Sequence, residues 1–550
     1  MAGVKAAATL YEGGVDNFLV LEQSDRVGGR MWHRDWHGQT IELGANWIEG
    51  IPQDENPVWA IAQKIGLQGN YTDQEGSRIE PTLYDVTGKV PTAAAQKLHE
   101  RLGNALDGAM RISCEHRKNN LGDISLRDAM SKSGWPPAES QTPLERTLEF
   151  FVVDWDFEYP PENVSMFNYF DVGKSGSWHE MCSSAKKHHI LRRARTAART
   201  GMLSGFIWEA PRFFVTDPRG YSAVAEYVAS PLEGKTPPAR ANQDKWGGYV
   251  MFNKTVTSID GSHGDSVRVH TTDGAVFKAK YAIVTFSSGV VNHGIKSKTL
   301  FHPPLPSWKA DAYAKTQNGI YTKIFLRYEL KFWDDADYIL YADPDHRGYF
   351  AVWQDMESHG KFFPNRENIL MVTVVQADSR RVEVQAKSET LQEVQTVLRR
   401  MYGESIPEPL DVFIPVWSTD PSFYGCWSNI AVGTTEEDFK LMQEPVGGLF
   451  FAGEATDYDY NGFVAGGFHS GKREAKKVMK AMRERLPASP ARSLSFHATV
   501  TSGVGISPAL SAAFLALGSL SCFLTASRRK QAADFDRSRA PLLSERDAMS

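Results

Sequence analysis

The sequence predicts an α/β fold: one twisted-sheet domain assembled from three separated stretches of chain, with a second, α+β domain of mixed sheet and helices inserted between them. Three observations predict it. At 550 residues, with 42% hydrophobic residues and 45 glycines, the chain exceeds the roughly 250–300 residues at which a single core stops growing. Residues 18–50, FLVLEQSDRVGGRMWHRDWHGQTIELGANWIEG, open as a strand that ends in an acidic residue and run into a Gly-Gly-Arg turn, the pattern of a Rossmann-like dinucleotide-binding fold. The strand–helix alternation of that region then returns after each excursion into other patterns, so the sheet domain is discontinuous in sequence.

Taken in order, residues 1–76 form the first part of the dinucleotide-binding domain. The chain is helical in pattern from its start (Val4, Ala6, Ala7, Ala8, Leu10). An apolar strand and a G-x-G-x-x-G turn should precede such a helix, so the first strand is expected to be missing and Gly3 stands as the third glycine of the fingerprint. Such a chain is expected to hold its dinucleotide poorly, and an added N-terminal strand and turn to restore binding. Residues 77–212 read as a helical first half of the substrate domain, with amphipathic stretches at 92–110 and 144–151. Strands return over 213–300 (YVMFNKTVTSID, SVRVHTTDG, VFKAKYAIVTFS), the second part of the nucleotide domain. Residues 301–425 carry further strands (YTKIFLRY, RGYFAVWQDM, ILMVTVVQAD) and a helix near 389–401, the second half of the substrate domain. Residues 426–484 supply a strand, a glycine-rich turn and a long final helix. Beyond them lie a linker (485–504), an uncharged segment long enough to span a bilayer (505–527) and a polar tail (528–550).

Composition excludes several classes. A net charge of −5 carries no signal for polyanions. The cysteines, Cys114, Cys182, Cys426 and Cys522, are far apart, with no C-x-x-C pair and no histidine at ligand spacing, so neither a metal site nor a disulfide framework is indicated. Residues 1–10 lack the apolar core of a signal peptide. Arg528, Arg529 and Lys530 follow the uncharged segment at once; were it a membrane span, the positive-inside rule would place the tail in the cytoplasm and the main domain on the extracellular or lumenal side. The alternative is a peripheral Ala/Ser-rich helix and a cytoplasmic protein. Sequons at Asn70, Asn163 and Asn253 permit a secretory route. The basic run 186–200 is most simply a solvated face.

Four blocks in this order, VLEQSDRVGGRM, IELGANWIEG, YTKIFLRY and FAGEATDYDYNGFVAGGFHSG, resemble the flavin-containing amine oxidases, and most closely the plant-type polyamine oxidases. The likeness covers residues 1–482. The chain departs from the family's pattern at its start and in about thirty extra residues between 176 and 211.

The cofactor implied is FAD. Glu22, at a strand end, can accept hydrogen bonds from both ribose hydroxyls. Gly28 and Gly29 let the backbone approach the phosphates, and Arg30 can pair with them. Gly44, Ala45, Asn46 and Trp47 form a small-residue passage along the flavin edge. Val256 resembles the position whose backbone meets the adenine, and Trp417 resembles another cofactor contact, although core packing explains it equally well. Gly453, Glu454, Gly462, Phe463 and Val464 form the second flavin contact, where a helix N-terminus would stabilise negative charge on the reduced ring.

Lys323 lies in a strand whose alternation puts Tyr321, Lys323, Phe325 and Arg327 on one face. On periodicity alone a strand lysine faces solvent; the resemblance implies instead a catalytic lysine holding a water near flavin N5. Glu49 and Glu158 are the candidate substrate acids, because a polyamine needs separated carboxylates and aromatic walls. Tyr321, Trp427 and Phe463 supply such walls. The resemblance implies oxidation of spermine or spermidine at a carbon next to a secondary amine, by a monomer that uses molecular oxygen and releases hydrogen peroxide, with no nucleic acid and no metal. Two flavin oxidases of the same fold fit less well. A desaturase or protoporphyrinogen-type oxidase would not need two acids and a lysine, and a histone-demethylating oxidase would bring further helical modules. A membrane-tethered homologue without catalysis is the alternative from another class.

Overall fold

The computed structural model describes residues 1–49, 56–71, 81–171, 182, 212–235, 245, 248–263, 266–358 and 367–484. The segments 172–181 and 183–211, which contain most of the extra residues and the basic run, lie outside the described residues, as do the linker, the uncharged segment and the tail. Among the described residues no helix is long and apolar enough to cross a membrane.

A seven-stranded sheet is the largest sheet among the described residues. Its strand order is Asp411–Phe413, Tyr321–Arg327, Ile369–Val375, Val352–Asp355, Tyr338–Tyr341, Thr82–Asp85 and Gly88–Lys89. Every neighbouring pair is antiparallel except Tyr338–Tyr341 with Thr82–Asp85. Strand alternation gives each face its own core. Tyr321 and Phe325 join Trp155, Phe151 and the helices Thr92–Lys118 and Pro143–Val152. Ile324 and Leu326 join Val394, Val397 and Leu398 of the helix Lys387–Tyr402 on the other side. Because both faces are covered, only Arg327 of the seven residues Tyr321–Arg327 is not buried, and Lys323 is 2% exposed. The solvent-facing lysine that periodicity alone suggests is thereby corrected: a half-buried sheet was assumed, and this one is buried twice.

The other sheets are smaller. Val20–Leu21 pairs in parallel with Val250–Met251, and Ala282–Val284 with Leu449–Phe451. A four-stranded sheet runs Val276–Ala279, Ser266–Thr271, Val256–His263 and Phe301–His302. Among the described residues the two parallel pairs are not joined to one another by strand hydrogen bonds. The first helix, Ala2–Glu12, packs against the last, Val464–Glu484. Gly471 makes that contact possible, since a Cβ there would stand 2.3 Å from the carbonyl oxygen of Ala2. The run GGFHSG thus serves close helix packing.

A disulfide joins Cys114, on the helix Thr92–Lys118, to Cys182. This corrects the expectation of no disulfide. The sequence separation of 68 between the two positions hides the pairing in the sequence, because only the fold brings the helix end and the later segment together.

Candidate active site

The nucleotide end is positioned by the strand Val20–Leu21, which delivers Glu22 to the rim of a cavity of about 850 Å³. One carboxylate oxygen of Glu22 accepts from the backbone N–H and the hydroxyl of Ser24, at 2.9 and 2.7 Å, which fixes the side chain's direction. Gly28 and Gly29 take φ of +120° and +62°, conformations that disfavour any side chain, and a Cβ on Gly28 would stand 2.9 Å from the Met31 carbonyl. Arg26, which the sequence reading passed over, pins this turn through Nη1 to Met31 O and Nη2 to Gly29 O. Arg30 reaches across the cavity instead of standing free: its Nη1 donates to Cys426 O at 2.7 Å and to Glu454 Oε1 at 2.9 Å. The other Glu454 oxygen accepts from Ser428 Oγ and from Gly462 N. Glu454 therefore ties three elements together around the cavity.

Glu22, Gly28, Gly29, Arg30, Gly44, Ala45, Asn46, Trp47, Val256, Trp417, Gly453, Glu454, Gly462, Phe463 and Val464 all line this one cavity. Gly44 marks the tightest crossing, where a Cβ would fall 1.8 Å from Arg30 O. Gly3 does not line it. That residue sits inside the first helix, where a Cβ would stand 3.3 Å from Thr285 Oγ1, the close helix–strand approach that a fingerprint's third glycine serves, while Met1 and Ala2 border the cavity.

The opposite end is walled by aromatic rings. Tyr321 lies 5.2 Å from Trp427 and 6.1 Å from Trp155, and Trp155 lies 6.1 Å from Trp47, centroid to centroid. The Lys323 ammonium sits over the Trp47 ring at 5.7 Å. Its Nζ donates to Glu42 O at 2.9 Å, Gly44 O at 2.8 Å and Asn46 Oδ1 at 3.3 Å. Those acceptors use all three of its protons, so a water at this nitrogen would have to replace Asn46, the longest of the three. Burial pushes the Lys323 pKa down to about 8, against the pull of the Glu42 carboxylate. Glu42, also buried, is pushed up to about 7 by desolvation, opposed by the Tyr221 backbone N–H and by Lys323. The sequence reading missed Glu42 altogether.

The two candidate substrate acids part company. Glu49 lines the cavity, but its Oε2 lies 3.1 Å from Arg212 Nε. Glu158 does not line it. Its carboxyl is 0% exposed, with no hydrogen-bond partner among the described residues, and packs so closely on Gly319 that a Cβ there would fall 0.8 Å from Oε2. Burial first, and Glu454 second, hold this carboxyl well above the usual carboxylate range. The acid of the DWDFEY segment that does face the cavity is Asp156. The short helix Asp154–Phe157 ends at Glu158 in a left-handed conformation, φ +60°, and this turn sends Glu158 inward.

A family model described as flavin containing amine oxidoreductase matches residues 1–479. The chain belongs to the flavin-containing amine oxidoreductase family. It is 30% identical over 495 residues to polyamine oxidase 1 of Zea mays, covering 88% of this chain and 90% of that one. It is also 30% identical over 480 residues to polyamine oxidase 7 of Oryza sativa subsp. japonica, with 86% and 91% covered. Lysine-specific histone demethylase 2 of Homo sapiens is 26% identical over 506 residues, but only 52% of that protein is spanned. The fold is that of wild-type putrescine oxidase bound to putrescine, at a TM-score of 0.60 and 17% identity over 87% of this chain and 97% of that one.

As a member of this family the chain is an FAD-dependent amine oxidoreductase, and the residues present fit the cofactor. The positive-φ glycines and the Gly44 crossing leave a cradle that side chains would fill. The indole N–H groups of Trp47 and Trp417, both buried beside the cavity, have no protein acceptor among the described residues. Glu22, Gly28 and Gly29 would hold the ribose and pyrophosphate side, and the start of the helix Val464–Glu484 the ring.

Proposed function

We propose that the chain oxidises polyamines of the spermine and spermidine class at a carbon next to a secondary nitrogen, yielding an aldehyde, an amine and hydrogen peroxide. FAD, when bound, would supply the redox chemistry, with oxygen as the final electron acceptor. The observation that carries this reading is a single cavity lined by the rings of Trp47, Trp155, Tyr321 and Trp427 together with Lys323 and the acids Glu49 and Asp156. Rings of this kind hold the methylene chain and the reacting nitrogen, and exclude water from it. The acids attract the distal ammonium. Lys323 Nζ, with a pKa near 8, holds a proton at the cavity wall. The likeness to plant polyamine oxidases supports the same substrate class. Purified protein with the absorbance of bound flavin, mixed with spermine and with spermidine under a peroxidase-coupled assay, tests the reading; flavin-loaded protein that yields no peroxide from either would end it.

We infer further that the catalytic unit resides in an extracellular or lumenal compartment, because the Cys114–Cys182 disulfide suits oxidising surroundings. The sequon residues Asn163 and Asn253 are exposed. Glycosidase-sensitive mass on protein from its native cells supports this placement, and protein found unglycosylated in the cytosol with both thiols reduced overturns it.

A further inference from the structure

The strand Trp47–Ile48 pairs antiparallel with Phe213–Val215, with Trp47 opposite Phe214 and Ile48 opposite Phe213. Continued by one step, that register sets Glu49 opposite Arg212, and the two side chains meet at 3.1 Å. The guanidinium also reaches Asp156, at 3.4 Å. All three line the cavity that holds Tyr321, Lys323 and Trp427, and Arg212 is only 6% exposed. Arginine keeps its charge at every working pH. The two acids best placed to receive a substrate ammonium are thus already bridged by a protein cation.

We propose that Arg212 is a specificity-determining residue, an internal counter-ion that competes with the far ammonium of a long polyamine for Glu49 and Asp156. The inference rests on the polyamine reading above. With Arg212 in place the three groups carry one net negative charge instead of two, so the cavity discriminates less between a tetraamine and a short amine than its carboxylates would alone. A substrate long enough to reach the acids must displace the guanidinium or share them with it. A short secondary amine, which ends among the aromatic rings, meets neither partner.

The test is equilibrium binding of spermine and of N-methylbutylamine to anaerobically reduced, flavin-loaded protein, on which no turnover occurs, followed by calorimetry. Arg212→Met should tighten spermine about tenfold, the effect of freeing one close charge pair at a desolvated site, and N-methylbutylamine distinctly less. Arg212→Gln, which keeps a hydrogen-bonding head without charge, should do the same if the methionine variant folds badly. Arg212→Lys should stay near the parent. An unchanged or weaker spermine affinity in both neutral variants overturns the proposal, and so does equal tightening of both amines. Should the parent enzyme release no peroxide from any polyamine, the functional reading fails on its own, while the binding ratio still reports on Arg212.

Discussion

Replacing Lys323 by methionine should slow amine oxidation by about a hundredfold or more, on the scale of losing a positioned proton-holding group, and should leave the fold and the flavin in place. The structure bounds the stability cost. Two effects oppose each other. The folded protein holds the Lys323 pKa near 8 against 10.5 ordinarily, which corresponds to about 3 kcal/mol against the charged form at neutral pH, and a methionine of similar length removes that penalty. It also orphans three acceptors, Glu42 O, Gly44 O and Asn46 Oδ1, at about 1–3 kcal/mol each. The net loss lies between about zero and 6 kcal/mol. A pKa lowered on folding means that the unfolded chain holds more protons between pH 8 and 10.5, so this lysine makes parent stability rise with pH across that window, and the variant loses the rise. Stopped-flow mixing with spermine between pH 6.5 and 9.5 measures reduction, and mixing the reduced enzyme with oxygen measures reoxidation. The parent should show a transition near pH 8 in one half-reaction and the variant none. Parent-like rates in both half-reactions, with the pH 8 transition intact, would refute the assignment of Lys323.

Glu49→Gln and Asp156→Asn should each raise KM for spermine about three- to tenfold, with little change for N-methylbutylamine, because each removes attraction at a cavity-lining acid (about 1 kcal/mol for a partly screened pair); steady-state kinetics on both amines decides it, and unchanged KM for spermine removes these acids from the site. Glu158→Gln should leave KM for spermine within twofold, since that carboxyl lies outside the cavity lining and burial shifts its pKa upward, against the charged form; a rise as large as that of the Asp156 variant would show that the cavity extends to it. Cys114→Ser should lower stability by about 4 kcal/mol for the loop it opens, read as a fall in Tm and as a new reactive thiol at Cys182; identical melting and no new thiol would mean that the bond is not formed in solution.

The nucleotide half was legible because its chemistry is local. Glu22, Gly28 and Gly29 sit within one strand and turn, where an acid at a strand end and two left-handed glycines leave a pattern readable without the rest of the chain. Gly3 packs close to Thr285 outside the cavity lining, the place of a glycine that lets helix and strand approach. The substrate end depends on contacts that no window of sequence contains. Glu158 and Asp156 are two residues apart in one acidic aromatic run, and composition cannot choose between them. What chooses is the left-handed turn at Glu158, which points one carboxyl into the core and leaves the other at the cavity. Lys323 was legible as a residue but not as an environment, because what covers its face of the sheet is the segment from Glu42 to Trp47, almost three hundred residues earlier in the chain. Arg212 was the least visible of all. It adjoins a stretch read as an insertion, and its partner Glu49 is fixed only by the pairing of Trp47–Ile48 with Phe213–Val215. Reading WIE against RFF as antiparallel neighbours would have found it: two short aromatic strands, each flanked by an opposite charge at the matching step, form an ion pair across the ladder. The turn that would meet the ribose and pyrophosphate is therefore set by local backbone chemistry, whereas the Glu49–Arg212 pair is set by long-range strand pairing, so substitutions at that pair should change substrate preference without disturbing the turn.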